Sequence, residues 1–231
     1  MNSSQVCVPI QLCFFITRCT FVGMPAGMPS GSFTPTPANR AQGLADARKM
    51  LPVWEASGAL FPSIYMSEAP TSEATRQYRV NATTEIGVAA AVMVAGGKGK
   101  KRIPVYPFAW ECYHNGSTLL THEDAVIDML SPYNAGADGL VVWGYTGGND
   151  GITAQGGPQM QHYFDYIKTS TGPLLSAFGK QVSECSAQHC SGHGRCVSVS
   201  PTPTVEPSGS NTGGGCVCFD GYSGAACEQS V

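Results

Sequence analysis

Apolar runs and helical stripes alternate through the middle of the chain. Ala59-Leu-Phe-Pro-Ser-Ile-Tyr-Met66 is a short, continuous apolar run and predicts a buried strand. From Ser72 to Ala95, Val80, Ile86, Val88, Val92 and Val94 stand among many alanines, which predicts a helix with one apolar face. Ile103-Pro-Val-Tyr-Pro-Phe-Ala-Trp110 predicts a second strand, although its prolines are unusual for a central one. Thr121 to Leu130 predicts a helix, with Glu123 and Asp124 in the first turn where the helix dipole favours acid. Gly139-Leu-Val-Val-Trp-Gly-Tyr145 predicts a third strand, and Gln159 to Phe178 a last helix bent near Gly172-Pro173. Upstream, Ala45 to Ala56 predicts a helix interrupted at Pro52. Residues 1–40 are punctuated by Gly23, Pro25, Gly27, Pro29, Gly31, Pro35 and Pro37 and read as irregular.

Apolar strands alternating with helices predict a parallel sheet with both faces covered. Right-handed crossovers wind such a sheet one way. Three strand–helix units are too few to close an eight-strand barrel of about 250 residues. The fold class is therefore α/β, as a small open sheet or an incomplete (β/α) barrel of parallel strands and helices. Near Val182 the helical periodicity stops and cysteines appear. The expected organisation is an irregular segment 1–40, an α/β part 41–181 and a cysteine-rich module 182–231. Inside the last, Ser198 to Gly215 is rich in Ser, Thr, Pro and Gly and reads as a flexible loop.

Of 231 residues, 42% are hydrophobic and 13% charged, enough apolar content for a core. Net charge is -3, and the best basic run, Lys98-Gly-Lys-Lys-Arg102, reads as a solvated loop, so nucleic-acid binding is not expected. No apolar span reaches the ~20 residues that cross a bilayer. Ten cysteines are present, six of them between Cys185 and Cys227. That density points to an oxidising compartment, extracellular or secreted, or lysosomal. The sequons at Asn2, Asn81 and Asn115 point the same way, with Asn81 and Asn115 the glycosylation candidates. The apolar stretch Val6 to Val22 lacks a basic flank and makes a poor signal peptide, so an N-terminus that is missing or altered is expected.

The tail spacing is C-x4-C-x5-C-x19-C-x-C-x8-C, with Gly221-Tyr222 and Gly224 in the last loop and Cys190-Ser-Gly-His-Gly-Arg-Cys196 ahead of it. About 45 residues bury too little core to fold without cross-links. A zinc site is the rival reading. His189 and His193 are close, but the paired C-x2-C knuckle is missing, so no metal is expected. The spacing resembles an EGF-like module. That resemblance implies the pairs Cys185–Cys196, Cys190–Cys216 and Cys218–Cys227. Gln181-Val-Ser-Glu184, just before the first cysteine, lacks the ligands of calcium-binding EGF modules.

Trp54-Glu-Ala-Ser-Gly-Ala-Leu-Phe-Pro-Ser-Ile-Tyr-Met66, Ile103-Pro-Val-Tyr-Pro-Phe108, Gly136-Ala-Asp-Gly-Leu-Val-Val-Trp-Gly144 and Thr171-Gly-Pro-Leu174 resemble, in order and spacing, the hyaluronidase family of glycoside hydrolases. The resemblance runs from about Ala41 to Glu228, the EGF-like tail included. It implies a distorted barrel of parallel strands and helices. It also implies cleavage of the β-linkage at N-acetylhexosamine in hyaluronan, and often in chondroitin, by retaining catalysis with substrate assistance. In that mechanism a strand-end glutamic acid protonates the leaving oxygen. The substrate's acetamido oxygen attacks the anomeric carbon in place of a second carboxylate. An aspartate two residues before the glutamate positions the acetamido group. No cofactor is implied.

By the same resemblance, Tyr65 matches a strand-end tyrosine that bonds near the acetamido group, and Trp143 the tryptophan that packs against the sugar. Both fall at the C-terminal ends of expected strands, where barrel enzymes carry their sites. Two departures stand out. No Asp is followed two positions later by Glu, so the Asp-x-Glu acid motif is absent. His114 stands where the family has an aspartate after its second Pro-aromatic strand, and joins Tyr65 and Trp143 as a substrate-binding candidate. Glu111, near the end of the second strand, is the candidate replacement acid on proximity alone, and Glu68 lies just after the first. Cys112 reads as a partner for Cys7, Cys13 or Cys19, or as a buried thiol. At the family's barrel-disulfide position on the last helix the chain has Met160. The functional expectation is a hyaluronidase acting on a glycosaminoglycan. Its alternatives are an inactive form with weak glycan binding and, last, an adhesion role for the EGF-like module.

Overall fold

Three helices begin at residues whose hydroxyls cap them. The computed structural model describes residues 21–22, 36–67, 72–96, 102–113, 118–142, 158–197 and 215–231. Strand β1 is Phe21–Val22. Helix α1 (Pro37–Lys49) starts at Thr36, whose side chain accepts the Asn39 N–H, with Pro37 in the first turn where a missing N–H costs nothing. Short α2 (Leu51–Glu55) carries Pro52 in its first turn, and β2 is Leu60–Phe61. Helix α3 (Glu73–Ala95) is capped by Ser72 and ends at Gly96 with φ 68°. Strand β3 is Phe108–Ala109. Helix α4 (His122–Asn134) is capped by Thr121, and β4 is Val141–Val142.

The strands run parallel and lie in chain order. β1 pairs with β2 and β3 with β4, while parallel bridges Leu60–Val105 and Ser63–Phe108 join the middle pair. The segment around β3 is central despite its prolines because the N–H groups of Val105, Tyr106 and Phe108 all find acceptors. Tyr106 and Phe108 donate to the Leu60 and Pro62 carbonyls at 2.9 and 2.8 Å. Val105 donates sideways to Asp138 Oδ2 at 2.8 Å. Pro107 needs only its carbonyl, which takes the Val141 N–H at 2.9 Å. The prolines also explain why regular strand pairing is far shorter than the apolar runs.

Helix α3 covers this sheet. Ile86, Ala90 and Ala91 pack with Leu60, Val105, Trp54 and Ala47. Gly87 allows the close approach, since a Cβ there would meet Pro62 Cγ at 3.1 Å and Val105 Cγ1 at 3.3 Å. Trp54 is buried with its indole N–H on the Ala47 carbonyl at 2.8 Å. Arg102 clamps Asp138 with two guanidinium bonds of 2.7 and 2.8 Å.

The chain divides into two compact units, 1–165 and 166–231. Helix α5 (Pro158–Tyr166) is followed by a π-helical turn, Ile167–Thr171, and by α6 (Gly172–His189). Pro173 has no N–H to offer the preceding turn, which accounts for the irregularity there. In the second unit, β5 (Gly194–Cys196) pairs antiparallel with β6 (Cys216–Cys218). β7 (Tyr222–Ser223) pairs antiparallel with β8 (Gln229–Ser230). Disulfides join Cys185 to Cys196, Cys190 to Cys216 and Cys218 to Cys227. Buried Cys190, Cys196 and Cys227 supply much of what core this unit has.

Two sequence expectations need correction. Residues 1–40 are not wholly irregular: β1 lies within them and pairs with β2, and α1 begins at Pro37, ahead of the expected Ala45. The last helix does not end at Phe178, because no Gly or Pro interrupts the chain between Lys180 and Cys190. Cys185 therefore sits on that helix.

Candidate functional site

At the C-terminal ends of β2 and β3 two aromatic rings meet. Tyr65, half-buried, leaves the end of the β2 segment, and Trp110 directly follows β3. Their centroids are 5.9 Å apart with planes tilted by 59°, a favoured aromatic geometry. Behind them stands Asp128 of α4, 1% exposed. Its Oδ2 accepts the Trp110 backbone N–H at 3.2 Å. Its Oδ1, like the Trp110 indole Nε1, is buried with no hydrogen-bond partner.

Burial dominates the electrostatics here. It lifts the Asp128 carboxyl well above the carboxylate range, and the charges of Glu111 and Asp124 push the same way. The Trp110 N–H and Arg79 pull against them. Burial, helped by Asp128, pushes the Tyr65 phenol up to about 12. Burial also lowers the Arg79 guanidinium, which Asp128 partly offsets.

A second layer lies beside this pair. Glu111 is 4% exposed, and its Oε2 accepts the Tyr163 hydroxyl at 2.8 Å. Burial raises its carboxyl, and the Tyr163 bond holds part of that rise back. Cys112 is a buried free thiol pushed up to about 12 by burial and then by Glu111. Asp124, capped at its amide by Thr121, takes the Arg76 Nε at 2.9 Å on Oδ1 and the Tyr113 hydroxyl on Oδ2. Among the described residues no three His, Cys, Asp or Glu side chains are grouped as metal ligands. No helix there is long and apolar enough to cross a membrane.

The expected residues fare unevenly. Tyr65 is at the strand end with the Trp110 ring 5.9 Å away and the Asp128 charge acting on it. Glu111 faces inward to Tyr163, a poor posture for protonating a bound substrate. Trp143, His114, Asn115 and Glu68 lie outside the described residues. Asn81 sits inside α3 with Thr83, the hydroxyl residue of its sequon, 2% exposed, which does not suit an acceptor in a surface loop. Sequence reading missed Trp110, Arg79, Asp128 and Tyr163. One signal was available: Asp124 and Asp128 share a helix face at i, i+4, a like-charge spacing that is unfavourable unless the surroundings compensate.

A family model described as hyaluronidase matches residues 40–206. Hyaluronidase-3 of Homo sapiens is 26% identical over 185 residues, covering 77% of this chain and 42% of the relative. Hyaluronidase-1 of Sus scrofa is 28% identical, covering 77% and 45%. Hyaluronidase conohyal-Cn1 of Conus consors is 30% identical, covering 63% and 31%. The crystal structure of bee venom hyaluronidase in complex with a hyaluronic acid tetramer superposes with a TM-score of 0.54 at 22% identity, over 67% of this chain and 45% of that one. The chain thus spans less than half the length of the relatives it matches.

Proposed function

Because the chain belongs to the hyaluronidase family, we propose that it is a glycosidase acting on hyaluronan, with chondroitin as a second substrate. It hydrolyses the β-linkage at N-acetylhexosamine by retaining catalysis in which the substrate's acetamido oxygen is the nucleophile. The carrying observation is the tilted Tyr65–Trp110 pair at neighbouring strand ends. An aromatic surface with a phenol hydroxyl suits the apolar face and acetamido group of an N-acetyl sugar. Trp143 and His114 are further sugar-binding candidates in this reading, carried by the family resemblance alone. The reading needs no metal or cofactor.

The parallel strands in chain order support a (β/α) barrel segment, since a doubly wound sheet reverses its strand order. The disulfide order and two hairpins support an EGF-like module over 182–231. Three disulfides support an extracellular, secreted or lysosomal setting.

A specific observation favours a second reading, glycan binding without hydrolysis. The chain has no Asp-x-Glu pair, and the carboxyls nearest Tyr65 and Trp110 are buried. Purified protein incubated with hyaluronan, followed by reducing-end measurement and by calorimetry with a hexasaccharide, tests both. New reducing ends, lost in Tyr65→Ala, support hydrolysis. Binding that weakens about tenfold in Tyr65→Ala, without new ends, supports the second reading. Neither binding nor new ends overturns both.

A further inference from the structure

We propose that Asp128 is the positioning residue of the Tyr65–Trp110 pair, holding the strand-end backbone at Trp110 with one carboxyl oxygen. The inference rests on the reading of that pair as the sugar wall. Asp128 reaches the pair from α4, a different element from either ring. Its Oδ2 accepts the Trp110 N–H, and that ring stands 5.9 Å from Tyr65. The carboxyl is fully buried, and charged or titratable groups of several elements act on it electrostatically: Tyr65 after β2, Arg79 of α3, Glu111 after Trp110 and Asp124 of its own helix.

A carboxyl in such a place has two states with different consequences. Neutral, it keeps the Trp110 bond and adds a hydroxyl donor near Oδ1, which has no partner otherwise. Charged, it is opposed by burial, Glu111 and Asp124, and only the Trp110 N–H and Arg79 offset them. A buried charge with so little compensation is relieved by movement, and the backbone that the carboxyl holds is that of Trp110. The pair is therefore set for sugar only while Asp128 is neutral. Asp128 does not touch the substrate: at 1% exposure it acts through Trp110 and Tyr65.

The test follows the protein by carbon and nitrogen NMR between pH 4.5 and 8, with the Asp128 carboxyl, the Trp110 indole and the Tyr65 ring assigned. We expect both rings to shift with the midpoint of the Asp128 carboxyl, and to lose that midpoint in Asp128→Asn. Hyaluronan hexasaccharide affinity should weaken about tenfold per pH unit above the midpoint in wild type and stay flat in Asp128→Asn. If Asp128→Asn does not fold, the wild-type titration alone decides. An Asp128 carboxyl ionised across the whole range, or rings that ignore its titration, overturns the proposal. Coupled ring shifts in a protein that binds no hexasaccharide at any pH uphold the coupling and instead remove hyaluronan as the ligand.

Discussion

Asp124 holds the end of the β3 segment against two helices, and its removal should be among the costlier single changes in the first unit. Its side chain is fully buried, and its Arg76 partner is only 16% exposed. One oxygen takes Arg76 Nε at 2.9 Å and the other the Tyr113 hydroxyl. Asp124→Ala takes one acceptor from the Arg76 guanidinium and one from the Tyr113 hydroxyl at once. Breaking a buried pair from one side costs about 3–5 kcal/mol. Arg76 can still reach some water, so the lower end, about 3 kcal/mol, is expected. Asp124→Asn keeps an acceptor for Tyr113 but loses the charge-assisted bond, for about 1.5 kcal/mol. Arg76→Met with Asp124→Leu and Tyr113→Phe should come back to within about 1 kcal/mol of wild type, since an apolar set leaves no polar group to compensate. Urea unfolding followed by tryptophan emission measures this, because all three tryptophans, Trp54, Trp110 and Trp143, lie in the first unit. A loss under about 1 kcal/mol for Asp124→Ala, or strict additivity of Arg76→Ala and Asp124→Ala, would refute the reasoning.

Three further outcomes are expected. In Gly194→Ala, the new Cβ would lie 2.6 Å from Cys227 Sγ and 2.9 Å from the Val217 carbonyl. The β5–β6 pairing must then open, at a cost of about 2 kcal/mol, and disulfide mapping after oxidative refolding should find less native Cys218–Cys227. Cys112, buried with its thiol pushed up to about 12, should resist iodoacetamide at pH 8 in the native protein and react after guanidinium unfolding; rapid native labelling would contradict this. The raised Glu111 carboxyl gives a sign to pH dependence. The folded state binds its proton more tightly than the unfolded state, so this contribution is full below the ordinary carboxylate range. It is lost as pH rises through the raised value. Wild type should therefore lose stability relative to Glu111→Gln between about pH 4.5 and neutrality, and a constant difference in urea midpoint would count against it.

Local signals made the helices legible. Ser72 and Thr121 cap α3 and α4 where the apolar stripes begin. Thr36-Pro37 carried the same kind of start signal for α1, but the neighbouring prolines and glycines masked it. The extension of α6 to His189 was hidden by its cysteines, which mark a module by composition yet do not break a helix. Tyr65 was reachable only through family resemblance. Its surroundings were not, because they depend on long-range pairs. Glu111 meets Tyr163 across 52 residues and Arg76 meets Asp124 across 48. Neither pair leaves a periodic trace, so spacing along the chain could not bring them together.

Hydrogen-bond partners separate the three buried carboxyls by what each can do. Asp124 has both oxygens taken, by Arg76 and Tyr113. Glu111 has one oxygen held by Tyr163 and is 4% exposed. Of the three, Asp128 keeps a buried oxygen with no partner, and it is also the one whose charge acts on Tyr65. A general acid must reach a leaving oxygen at about 3 Å, which none of the three does without leaving its present bonds. Sugar contact and proton donation are thus separate requirements on this chain. The aromatic pair answers the first through surface it already presents. The second would require Glu111 to give up Tyr163, so Tyr163→Phe is the informative partner of Glu111→Gln. If Glu111 donates the proton, freeing it should raise hydrolysis, and the double variant should abolish it.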